Sequence, residues 1–308
     1  MDMLVPRTRR RALSALLVGL LAVAATPLLG HVERASSSSV AEAVKNRPHV
    51  ASHPKVLVIA HRGFSAIAPE NTLPAMAAAA KAQADMVEFD VQRTLDGHLI
   101  VIHDRTFART TDIARVFPAR VNNPVGSFTL ADVQRLDAGS WKGTRFAGTR
   151  VPTLDQLLTT MRPTSTNLLL ELKNPSLYPG YESQVAAALV ARGFTQAGRV
   201  YVHSFGRSSL ETFHRAAPSV PLGLLTKGPL SPEGIDSWMH TVNPATGSVT
   251  DAGVDWASAA NLQVFTWPLN LIQRSAPQIE RMVDDGVSGI ITDNPLLVRH
   301  LVGSGTRA

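Results

Sequence analysis

The sequence predicts an α/β fold, a TIM-type (β/α)8 barrel distorted near its second and third strands. Three observations carry this expectation. From Lys55 onward, short apolar runs alternate with amphipathic stretches, the rhythm of a parallel sheet joined by crossover helices. About eight such units are present, enough to close a barrel, and 308 residues accommodate one barrel of about 250 residues behind a leader. The link between the second and third apolar runs, Val91 to Leu99, is too short for a crossover helix and carries Asp96-Gly97, a tight-turn pair.

The elements follow in chain order. Residues 1–43 read as an export signal: the basic stretch Arg7 to Arg11, an uncharged apolar run from Ala12 to Gly30, and a small-x-small site at Ala41-Glu42-Ala43. The Arg9-Arg10 pair admits a twin-arginine signal as well as a Sec signal, and both imply a secreted or cell-envelope protein. An uncleaved membrane anchor is the alternative, because the apolar run nearly reaches bilayer length. Residues 44–54 form a linker, 55–302 the barrel and 303–308 a tail.

Strands are expected at Val56–Ala60, Met86–Val91, Leu99–Ile102, Leu168–Leu172, Val200–His203, Leu222–Leu225, Met239–Val242, Val264–Trp267 and Gly289–Thr292. That is nine runs for eight places, and the surplus is assigned to a hairpin at Asp96-Gly97. Helices are expected at Leu73–Lys81, Leu154–Met161, Glu182–Arg192, Arg207–Arg215, Asp251–Ala260 and Gln278–Asp285. The stretch 104–150, rich in Arg, Thr, Gly and Asn, reads as a long loop over one mouth of the barrel with at most one helix, Leu130–Leu136.

Composition removes several functions. The chain has no cysteine, so disulfides, thiolate metal sites and a cysteine nucleophile are excluded. Five basic and three acidic residues of 1–43 account for +2 of the net charge of +6, which leaves +4 for the body. That modest surplus favours an anionic small molecule. No basic block with interleaved aromatics follows the leader, so nucleic acid is not the expected partner. No apolar stripe indicates membrane contact, and nothing in the sequence sets the oligomeric state.

The placement of charge points to chemistry. Side chains alternate across a strand, so Val87, Phe89 and Val91 share one face while Glu88 and Asp90 share the other. In a barrel the second face is the lumen, where buried carboxylates cost several kcal/mol each unless compensated, and a divalent cation is the natural compensation. The run Leu168 to Lys173 repeats the arrangement, placing Glu171 and Lys173 opposite Leu168, Leu170 and Leu172. His61 and His103 each end an apolar run. Active sites of TIM barrels lie at the C-terminal ends of the strands, where all six residues would converge.

These residues also resemble a known family. His61-Arg62-Gly63, Pro69-Glu70-Asn71-Thr72 and Glu88-Phe89-Asp90-Val91 are similar to the opening signature of glycerophosphodiester phosphodiesterases. The likeness continues through Asp96-Gly97, His103-Asp104, Arg109-Thr110-Thr111-Asp112, Leu136-Asp137-Ala138-Gly139 and Pro152-Thr153-Leu154. It ends with Glu171-Leu172-Lys173 and Gly289 to Pro295, covering about residues 56–300 in order. The resemblance implies a phosphodiesterase on a TIM barrel, with one divalent cation, Ca²⁺ or Mg²⁺, held by Glu88, Asp90 and Glu171. Oxygen ligands suit such a hard cation. It further implies His61 and His103 as the acid–base pair, Arg62 and Lys173 as phosphate-binding residues, and Trp267 lining the substrate pocket. The expected reaction is hydrolysis of a small glycerophosphodiester to sn-glycerol 3-phosphate and an alcohol.

Two departures from the family pattern stand out. Trp267-Pro268-Leu269-Asn270 replaces a Trp-Thr-Val-Asn run, and proline there removes a backbone donor. His203-Ser204 occupies a place where the family often carries two small hydroxyl residues. The alternatives are a phospholipase acting on intact lipids, of the phosphatidylinositol phospholipase C or sphingomyelinase D kind, and a non-catalytic barrel.

Overall fold

The computed structural model of the chain describes residues 55–196, 198–268 and 275–304. The expected export signal and linker over 1–54 lie outside the described residues, as do Leu269, Asn270 and the end of the tail. No helix among the described residues is long and apolar enough to cross a membrane.

The barrel strands are β1 (Leu57–Ala60), β2 (Met86–Arg93), β4 (Asn167–Leu172), β5 (Val200–Ser204), β6 (Leu222–Thr226), β7 (Thr241–Pro244), β8 (Gln263–Thr266) and β9 (Gly289–Thr292). Neighbours in that order pair in parallel, and β1 pairs with both β2 and β9, which closes the ring. The surplus strand β3 (Leu99–Val101) runs antiparallel to β2, with Val91 opposite Val101 and Arg93 opposite Leu99. It is the hairpin expected from Asp96-Gly97, and Gly97 adopts φ 87°, the left-handed region its turn requires.

The described helices are α1 (Leu73–Lys81), α2 (Ile113–Val116), α3 (Leu130–Val133), α4 (Leu154–Met161), α5 (Tyr181–Ala191), α6 (Arg207–Ala216), α7 (Asp251–Ala259), α8 (Ala276–Asp284) and α9 (Pro295–Ser304). Thr153 starts α4 with a capping box, its side chain accepting from Gln156 N while the Gln156 side chain accepts from Thr153 N. Helix α9 lies beyond the helices expected from the apolar pattern, although Asn294-Pro295 is a start signal. Proline lies at its first position, and the Asn294 side chain accepts from Leu297 N at 3.2 Å. The β6–β7 connection carries no helix, because Gly228, Pro229, Pro232 and Gly234 interrupt it. β7 also begins two residues later than expected. Met239 is buried in the turn before it, where its N–H bonds Asp236 O.

Two apolar layers follow from strand alternation. Outward side chains such as Val87, Phe89, Leu168, Leu170 and Val202 pack beneath the helices. Ile59, Met86, Leu169, Phe265 and Ile291 form a separate plug low in the lumen. Above that plug the inward positions become polar: Glu88, Asp90 and Gln92 on β2, Glu171 on β4, His203 on β5 and Asn243 on β7. Residues 104–150 are more ordered than the expected loop. They carry two one-turn helices, α2 and α3, and a core of their own around Ile100, Phe107, Ile113, Phe128 and Leu136. Phe107 and Phe128 meet edge to face at 5.2 Å. This second core anchors the segment that delivers His103 and Arg109.

Candidate active site

The polar end of the lumen opens into a cavity of about 370 Å³. Seven of the eight residues singled out from the sequence line it: His61, Arg62, Glu88, His103, Glu171, Lys173 and Trp267. Asp90 is fully buried just beneath, in register with Glu171 on the neighbouring strand. His61 and Arg62 follow β1 directly. His103 arrives by a different route from the one the sequence implied. It does not end a barrel strand; β3 comes back down beside β2, and Ile102 N bonds Asp90 O at 2.9 Å. Buried Gln92 holds that return. Its Nε2 lies within 3.1 Å of the carbonyls of Ile102, His103 and Asp104, and its Oε1 accepts from Tyr178 Oη and Asn174 Nδ2.

Each histidine has a carboxylate behind it. His61 Nδ1 sits 2.6 Å from Asp293 Oδ1, and His103 Nδ1 2.7 Å from Asp104 Oδ1. A carboxylate at Nδ1 fixes the tautomer with the proton there and leaves the Nε2 lone pair for chemistry. Burial and the adjacent Arg62 guanidinium lower the His61 pKa, and Asp293 only partly offsets them, so its surroundings favour the neutral imidazole.

The Arg62 backbone is left-handed at φ 55°, which turns its N–H onto Glu88 Oε2 at 2.9 Å. Gly63 follows at φ 83°, and a Cβ there would lie 2.6 Å from the backbone of Ala75. Non-glycine residues in this region are uncommon and cluster at functional sites. Glu70 accepts from Arg62 Nη1 and from Arg109, each at 2.7 Å, while Arg109 also bonds Asp104. Glu70, Arg109 and Asp104 lie within the sequence motifs, and only the fold makes them a brace linking the two histidine-bearing segments.

The carboxylates carry the electrostatic signature. Burial and repulsion from Asp90 push Glu88 well above the usual range, although Arg62 opposes this. Burial lifts Glu171 to about 7 against the pull of Lys173, whose Nζ lies 2.8 Å from Glu171 Oε1. Asp90 goes the other way. Burial would raise it, but Lys173, His103, Arg62 and the hydrogen bond from Asn71 at 2.8 Å hold it well below the usual range. Lys173 itself is held up to about 12 by Asp90 and Glu171, which outweigh its burial. Glu88 and Glu171 thus carry a cost of burial that the neighbouring cations do not offset. Ligand atoms of Glu88, Glu171 and His203 lie within 4.8 Å of one another. Buried His203 Nε2 has no hydrogen-bond partner among the described residues, while Asp90 Oδ1 meets the Lys173 ammonium at 3.3 Å. Such a donor set fits a divalent cation.

Trp267 closes one wall. Its Nε1 donates to Asn243 O at 3.0 Å, and its ring meets Phe205 edge to face. Lys227 and Pro268 complete that rim.

Comparison with known proteins decides the family. The profile of the Glycerophosphoryl diester phosphodiesterase family matches residues 61–297. The chain belongs to that family. A glycerophosphodiester phosphodiesterase of Caldanaerobacter subterraneus is 36% identical over 259 residues, covering 82% of this chain and 99% of the relative. One of Bacillus altitudinis is 34% identical over 247 residues, covering 77% and 94%. Among solved structures, an Oleispira antarctica phosphodiesterase in complex with the product sn-glycerol-3-phosphate superposes with a TM-score of 0.68 at 25% identity. That match covers 80% of this chain and 96% of the other. The TIM-barrel fold expected from the sequence is therefore also that of the family.

Proposed function

We propose that this glycerophosphodiester phosphodiesterase converts small glycerophosphodiesters to sn-glycerol 3-phosphate and an alcohol by acid–base catalysis between two histidines beside a bound divalent cation. The observation that carries the reading is two imidazoles, each backed by a carboxylate, lining one cavity with Arg62, Lys173 and a set of buried carboxylates.

His61, kept neutral by burial and Arg62, is the base. Its Nε2 removes the proton from the glycerol 2-hydroxyl, whose oxygen attacks phosphorus. His103, acting as the imidazolium, gives its Nε2 proton to the leaving alkoxide and keeps the Nδ1 proton hydrogen-bonded to Asp104. The cyclic phosphate formed is opened by water with the two roles exchanged, which yields glycerol 3-phosphate. Arg62 and Lys173 neutralise charge growing on the phosphoryl oxygens. Glu88, Asp90 and Glu171 would hold the cation, which would supply Lewis-acid charge to the phosphodiester. Trp267 and Phe205 offer an apolar wall to the carbon skeleton of the substrate. The water-soluble product in the Oleispira antarctica complex supports a small substrate over an intact lipid.

The test is His61→Ala and His103→Ala assayed separately on glycerophosphocholine. General acid–base contributions of about 10²–10⁴ predict losses of that size in kcat for each, with the fold intact by circular dichroism. Near-normal turnover in either variant refutes the two-histidine mechanism.

A further inference from the structure

We infer that His203 is a ligand of the bound cation through Nε2, so the site is a mixed nitrogen–oxygen centre rather than carboxylate alone. This rests on the cation-binding reading above and deepens it.

Three observations lead there. First, Asp90 on β2, Glu171 on β4 and His203 on β5 are consecutive in register across three adjacent strands, and they point into the lumen at one level. An imidazole with 1% exposure has been set beside two buried carboxylates at the polar end of the barrel. Second, its Nε2 is buried with no hydrogen-bond partner among the described residues, and a ring nitrogen of His203 lies within 4.8 Å of ligand oxygens of both Glu88 and Glu171. A histidine kept only for packing would satisfy that nitrogen, since an unpaired buried polar group costs about 1–3 kcal/mol.

Third, the opposite nitrogen is held by an arrangement that spans a whole strand. His203 Nδ1 lies 3.0 Å from the side-chain amide of Asn243. Asn243 belongs to β7, and β6 runs between β7 and β5. The β6 residue in register with His203 is Gly223. A Cβ at Gly223 would lie 2.0 Å from Thr241 Oγ1 and 2.9 Å from Asn243 Nδ2. The missing side chain is thus the gap through which the amide crosses. The amide nitrogen Nδ2 is the atom placed against Nδ1, and Asn243 Oδ1 is left buried without a hydrogen-bond partner among the described residues. Turned over about its terminal bond, the amide would satisfy that oxygen with Nδ1–H and leave the Nε2 lone pair free, the usual arrangement behind a ligating histidine.

The chemical consequence is a change of preference. Imidazole binds first-row transition ions well, while Ca²⁺ and Mg²⁺ favour all-oxygen sites. His203 therefore raises affinity for Mn²⁺ relative to Ca²⁺.

The experiment loads the full-length protein with Mn²⁺ alone and records pulsed electron paramagnetic resonance, in parallel with calorimetric titrations of Mn²⁺ and Ca²⁺. Wild type is expected to show ¹⁴N coupling to Mn²⁺. The coupling should vanish in His203→Gln, with Mn²⁺ binding weakened about 10- to 100-fold and Ca²⁺ binding much less. Gly223→Ala and Asn243→Leu leave the ligands in place and should weaken Mn²⁺ in the same selective way. A bound Mn²⁺ without ¹⁴N coupling in wild type overturns the assignment even if the variants fail to fold. So does coupling that persists in His203→Gln, or equal weakening of both ions. Failure of wild type to bind Mn²⁺, Ca²⁺ or Mg²⁺ overturns the cation reading itself, and this inference with it.

Discussion

Asp293→Asn removes one charge from behind His61 while conserving shape. The bond it alters is 2.6 Å long between side chains only 14% and 21% exposed, so the carboxylate is poorly screened. Hydrogen bonds to charged groups contribute about 1.5–3 kcal/mol. In the proposed mechanism His61 gains its positive charge only as it takes the proton, so that stabilisation would belong to the transition state. At about 1.4 kcal/mol per tenfold, kcat should fall roughly 10- to 150-fold with little change in KM. An amide that turns its NH2 toward Nδ1 favours the wrong tautomer, which makes the range a lower bound.

The pH profile supplies a second readout. The Asp293 charge and hydrogen bond both raise the His61 pKa, so their loss lowers it further. A base acts in its neutral form, and activity is lost as pH falls through its pKa. The acid limb of kcat/KM should therefore move to lower pH in the variant, even as the plateau drops. Steady-state kinetics on glycerophosphocholine across pH 4–9 measure both effects. A plateau within about threefold of wild type and an unmoved limb would refute the assignment of His61 as a base oriented by Asp293.

Glu171→Gln should remove at least about 10³-fold of turnover, a loss typical of removing one electrostatic catalytic group, and should weaken cation binding by calorimetry without unfolding the barrel. Gln92→Leu strands buried carbonyls of Ile102, His103 and Asp104, so denaturant unfolding should show a loss of about 1–3 kcal/mol together with a reduced kcat. Phe128→Ala empties the second core and should cost about 3–5 kcal/mol, read from the urea midpoint, with protease sensitivity rising in residues 104–150. Phospholipid vesicles should be turned over far more slowly than glycerophosphocholine, measured by phosphate-containing product release.

How far the sequence reached depends on whether a feature is local. Glu88 and Asp90 alternate with Val87, Phe89 and Val91, so period two alone placed them in the lumen, and Glu171 followed by the same argument. Asp96-Gly97 announced the hairpin that supplies the ninth strand. What alternation could not give is which side chains meet across strands. The brace from Glu70 to Arg62 and Arg109 joins residues 39 positions apart at its longest. The Asn243 amide reaches His203 only because Gly223 lies between them in the sheet, a relation that needs strand order and register together. His103 reached the site for a reason that apolar patterning concealed, since a strand-end histidine looks the same whether its strand is parallel or antiparallel. The packing of 104–150 was hidden because its apolar residues, Phe107, Ile113 and Phe128, are spaced irregularly and follow neither the helical nor the strand period.

The most direct test of the account is release of glycerol 3-phosphate from glycerophosphocholine by the purified protein, with added Ca²⁺, Mg²⁺ or Mn²⁺ and with EDTA. The account predicts release that stops in EDTA, returns when the ion is restored, and is lost in His61→Ala. Undiminished release after exhaustive chelation, or none with any of the three ions from folded protein, would contradict it.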